Sequence, residues 1–67
     1  MESREQTAIL AEAIELLPER MRVVLTMYYR EDLRLKEISE VVGLSESRVS
    51  RILGAAIWRL REFLLKQ

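Results

Sequence analysis

Apolar residues recur along this chain at intervals of three and four, and they do so in four separate runs. Leu10, Ala13, Ile14 and Leu17 form the first, and Met21, Val24, Leu25 and Tyr28 the second. Ile38, Val41 and Val42 form a short third run, and Val49, Ile52, Leu53, Ala56, Leu60, Phe63 and Leu64 a long fourth. At about 100° per residue each run gathers on one arc, so each predicts a helix with one side against a core. The expected spans are Arg4–Leu16, Glu19–Arg30, Leu35–Val42 and Ser45–Leu64, with a short turn at residues 30–33. No strand is expected, because alternation is nowhere sustained and the β-branched residues sit at helical spacing. The reading is an all-α chain, a small helical bundle of four to five helices, with residues 1–67 as one domain.

Residues between the runs supply starts and stops. Ser3 with Gln6 has the spacing of a capping box ahead of the first helix. Pro18 disfavours helical geometry at Leu17 and suits the first position of the next helix, where Glu19 complements the dipole. Gly43 can end the third helix in a left-handed conformation, and the Ser45 hydroxyl can cap the fourth. Leu35–Ile52 therefore fits a helix-turn-helix: Ile38 and Val42 pack, Ser39 is small at the crossing, Gly43 turns, and Leu44, Val49 and Ile52 close the core. A plain helical hairpin without DNA-binding activity would share this pattern.

Opposite the apolar arc of the fourth helix lie Ser47, Arg48, Ser50, Arg51, Gly54, Ala55 and Arg61. Short side chains allow close approach to a DNA backbone, and guanidinium forks suit guanine edges or phosphate. The formal net charge is zero, yet residues 1–19 hold five Glu against one Arg, whereas residues 20–67 hold ten Lys or Arg against six Asp or Glu. That split fits a domain with one face toward a polyanion, or simply solvated helix faces.

Other chemistries are reduced at once. Without Cys or His there are no disulfides, imidazole bases or usual zinc frameworks, and no cofactor or metal site is expected. Glu12 with Glu15 and Glu37 with Glu40 are carboxylate pairs at helical spacing, read as solvated faces, so no catalytic residue is expected and the chain is read as non-enzymatic. No segment approaches the roughly twenty apolar residues of a membrane span, so a cytoplasmic location without membrane contact is the expectation.

Three stretches make the wording of the chain specific: Leu16-Leu17-Pro18-Glu19-Arg20 leading into Val24-Leu25-Thr26-Met27-Tyr28-Tyr29, then Leu35-Lys36-Glu37-Ile38, then Ser45-Glu46-Ser47-Arg48-Val49-Ser50. Ala56-Ile57-Trp58-Arg59-Leu60-Arg61 follows as a basic tail. In these the chain resembles the C-terminal domain, region 4, of bacterial RNA polymerase sigma factors of the flagellar and sporulation-type alternative class. The resemblance implies a fragment of a longer chain that recognises the −35 promoter element in transcription initiation. The positions matching the family's DNA contacts are Ser45, Glu46, Ser47, Arg48, Ser50 and Arg51, with Arg34 and Lys36 near phosphates. Glu46 is ambiguous between accepting from a cytosine amino group and complementing the helix dipole, with the structural role favoured.

The same resemblance implies docking of helices one to three on the β flap of RNA polymerase, a surface that an anti-sigma factor often covers. A protein-interaction fragment with a secondary DNA role is an alternative, as is the DNA-binding domain of another bacterial regulator. Two positions depart from the family. Arg34 stands where a capping Thr or Ser is frequent, which predicts a weaker start for the third helix. Trp58 stands where Lys or Arg is common, opposite the core stripe, so it is expected to be exposed and to serve a partner, a neighbouring copy or the rest of a parent chain, unless it folds over Gly54 and Ala55.

Overall fold

α1 (Arg4–Glu15), α2 (Glu19–Tyr29), α3 (Leu35–Val42) and α4 (Glu46–Leu65) follow one another through short turns in a computed structural model that describes residues 4–66. All four predicted helices are present, each within a residue of its expected ends, the scatter typical of helix termini. The count is four rather than five, and no strand occurs among the described residues. The Ser3–Gln6 capping box lies outside them.

α4 is the spine. Its 20 residues extend about 30 Å, and α1, α2 and α3 each pack against it, while α2 also meets α3. The core consists of Ala13 and Leu17, Val24 and Leu25, Ile38, and Val49, Leu53, Ala56 and Leu60. Val24, Leu25, Ile38 and Val49 are fully enclosed where α2, α3 and the first half of α4 meet. That placement anchors the helix-turn-helix on α2, so burial fixes the attitude of the exposed half of α4.

The connections follow from residue chemistry. Pro18 is the N-cap of α2, one position before the expected one. Its extended backbone leaves its carbonyl free to accept from the Arg22 N–H at 3.0 Å. After α2, the Arg30 and Glu31 N–H groups both donate to the Thr26 carbonyl, and Asp32 adopts φ 55° before Leu33 N–H donates to the Met27 carbonyl. A short carboxylate side chain is among the few that tolerate this left-handed geometry.

α3 starts more firmly than the N-cap residue alone suggests. The Arg34 guanidinium has no acceptor and cannot cap, but the Glu37 carboxylate accepts from the Arg34 N–H at 2.7 Å, supplying one half of a capping box. Gly43 closes α3 at φ 74°, and its N–H and that of Leu44 donate to the Ser39 carbonyl. The half-buried Ser39 also donates its hydroxyl to the Lys36 carbonyl at 3.0 Å, so a small polar residue sits at the crossing without an unmet group.

Four apolar positions depart from the expected inward-facing sets. Leu10, Tyr28, Val41 and Leu64 are exposed, Val41 by 63 %. Val41 and Leu64 lie at the edges of their arcs, Leu10 and Tyr28 near the middle of theirs, and the helices are too few to cover all four. Trp58 is 58 % exposed, as its place opposite Val49, Ala56 and Leu60 predicts.

Candidate nucleic-acid interface

Ser45 has an extended backbone, φ −69° and ψ 159°, and its Oγ accepts from the Arg48 N–H at 3.2 Å. The cap therefore satisfies one free donor of the first turn and starts α4 at the predicted residue. The Ser47 Oγ lies 3.3 Å from the Ser45 Oγ, so the two hydroxyls share one hydrogen bond across this turn. Glu46 sits in the first turn, where a carboxylate complements the N-terminal dipole.

All of Ser45, Glu46, Ser47, Arg48, Ser50 and Arg51 are exposed, whereas Val49 between them is fully buried. Burial of Val49 and Leu53 fixes the rotation of α4, and that rotation turns Arg48 and Arg51 away from the core. Arg34 and Lys36 are also exposed, at the far end of α3, about 12 Å of helix from the turn at Gly43. The eight residues thus fall into a cluster of six on the first turns of α4 and a pair at the start of α3. Serine hydroxyls donate and accept, arginine and lysine only donate, and Glu46 only accepts, so the set offers both polarities that base edges and phosphates require.

Among the described residues no group of three or more carboxylates lies together to hold a metal ion, and no helix is long and apolar enough to cross a membrane. A second feature was not read from the sequence. Leu10 of α1, Tyr29 of α2 and Ile57, Leu60, Arg61, Leu64 and Leu65 of α4 line a shallow groove, with Tyr29 69 % and Leu65 78 % exposed. Its only sequence signal is the surplus of apolar residues flanking the stripes of α1 and α4, and which of these share a groove depends on packing.

Residues 13–62 match the profile of the family described as Sigma-70, region 4. The chain is 59 % identical over 54 residues to the RNA polymerase sigma factor FliA of Pseudomonas aeruginosa, covering 81 % of this chain and 22 % of that protein. It is 58 % identical over 55 residues to the FliA sigma factor of Escherichia coli strain K12, covering 82 % and 23 %. With the RNA polymerase sigma-D factor of Bacillus subtilis it shares 42 % identity over 62 residues, covering 92 % and 24 %. The chain spans about a quarter of the length of these curated relatives. A helix-turn-helix in which an exposed serine and arginine face is held by a buried valine, and a family match over most of the chain, lead to one conclusion: the chain belongs to the sigma-70 region 4 family.

Proposed function

We propose that this chain is a promoter-recognition module of transcription initiation, non-enzymatic and cytoplasmic, that reads the −35 element through α4 and docks on RNA polymerase. The observation that carries the reading is the capped, exposed start of α4, where Ser47, Arg48, Ser50 and Arg51 surround a buried Val49. In the major groove, Arg48 and Arg51 would contact base edges or phosphates, with Ser45, Ser47 and Ser50 filling the close approach. Glu46 would hold the helix start, and Arg34 and Lys36 would bind phosphates. Titration of labelled promoter duplex tests this. Arg48→Ala or Arg51→Ala should cost about 1–3 kcal/mol on the preferred sequence and less on scrambled DNA, whereas Lys36→Ala should weaken both alike. Equal losses for all three would mean that α4 grips only the backbone.

The apolar groove supports the second half of the reading, a protein partner such as the polymerase β flap or an anti-sigma factor, although it is built from α1, α2 and α4 and not from the first three helices that the resemblance implies. Leu65→Glu alters an exposed groove residue, so it should leave thermal stability unchanged and weaken binding to polymerase core. An unchanged affinity would remove this groove from the docking surface.

A further inference from the structure

We infer that the DNA-contact surface continues along α4 beyond its first turns, and that Gly54, Trp58 and Arg61 hold the sugar-phosphate backbone bordering the groove that Arg51 enters. The inference rests on the promoter reading above and extends its footprint. Ser47, Arg51, Gly54, Trp58 and Arg61 follow at intervals of four, three, four and three, so they form one stripe opposite Val49, Leu53, Ala56 and Leu60.

Two observations on this stripe lack an explanation inside the fold. Gly54 is exposed in mid-helix, its φ is not positive, and a Cβ built there would meet nothing within 4 Å. Neither conformation nor packing requires glycine, although glycine weakens a helix relative to alanine. One turn on, Trp58 leaves most of its indole in solvent. Both make sense if something approaches the α4 backbone closely at Gly54 and packs on the ring of Trp58.

Charge identifies the occupant. Arg51 and Arg61 lie on the stripe and Arg48 flanks its start, against Glu62 as the neighbouring carboxylate, which favours a polyanion over an acid-poor protein surface. Distance agrees with that. Trp58 is seven residues beyond Arg51, about 10 Å along the axis, and the major groove is about 12 Å wide. With Arg51 at base edges, the strand bordering the groove therefore crosses α4 near Gly54 and Trp58. The indole N–H can donate to a phosphate oxygen while the ring covers deoxyribose, and Arg61 supplies charge.

Trp58 is the sole tryptophan, so its emission reports on this surface directly. The probe is a promoter duplex on which Arg51→Ala lowers affinity, titrated into the chain and its variants. Duplex should change Trp58 emission, and Trp58→Ala and Gly54→Leu should each lower affinity about 3- to 10-fold, by equal factors on matched and scrambled sequence. Trp58→Ala is a surface change and should melt with the parent, whereas Gly54→Leu, with open space around it, should melt above the parent, so neither loss of affinity can come from unfolding. Unchanged emission and unchanged affinities, with Arg51→Ala still weakening the complex, would overturn the extension and leave the promoter reading standing. Emission that responds to polymerase core but not to duplex would also overturn it, assigning the stripe to protein. If the parent chain binds no duplex, both readings fall.

Discussion

Asp32 and Gly43 adopt left-handed conformations of similar φ, 55° and 74°, but only one of them is a glycine. Gly43→Ala should therefore destabilise the domain by about 1–2 kcal/mol, the cost of placing a Cβ in this region. Asp32→Gly should stabilise it by about 0.5 kcal/mol, since strain relief is partly offset by a more flexible unfolded chain. Gly54→Ala, at a helical position with open space around it, should stabilise by about 0.5–1 kcal/mol. Urea unfolding of the three variants checks all signs at once. At this scale the sequence was legible in which side of each helix meets the core, as Val24, Ile38 and Val49 show. It was less so in how much of that side is covered. Periodicity gives the direction a helix faces but not how far its neighbours wrap around it, and so Val41 and Tyr28 were expected inside and are exposed.

Helix starts show how two residues divide one task. In α3 the carboxylate of Glu37 compensates for an N-cap residue that cannot accept, so Glu37→Ala should cost about 1 kcal/mol and fray the start of the helix-turn-helix. In α4 the Ser45 hydroxyl does the capping itself. Ser45→Ala should lose about 1 kcal/mol, whereas Ser45→Asp should keep the cap and the stability while repelling phosphate. A variant as stable as the parent that binds duplex more weakly would separate folding from recognition at this position. Stability unchanged in Ser45→Ala would show that the cap contributes little. The extent of the helices was readable from Pro18, Gly43 and Ser45, because each imposes a backbone constraint of its own. The strength of the α3 start was not, since it depends on a reciprocal bond made by the third helical residue rather than on the residue at the cap.

Across the whole molecule, cations gather toward α4 and the turn before α3, and α1 contributes Glu12 and Glu15. Duplex affinity should thus fall with salt, because each phosphate contact made by these cations releases counterions. A flat response between low and physiological ionic strength would count against the proposed surface. The architecture has a further thermodynamic result. One helix is both the beam on which α1, α2 and α3 rest and the blade offered to DNA, so the proposed complex cannot persist once the bundle melts. Recognition and unfolding then become linked equilibria: free duplex at a hundredfold excess over its Kd should add about 2.7 kcal/mol to stability. In a domain of this size that is a rise in Tm on the order of 10–20 °C. Losses at buried packing positions travel the same route, so Leu60→Ala, on the face of α4 opposite the proposed DNA stripe, should lower apparent affinity for duplex wherever the folded fraction is already incomplete.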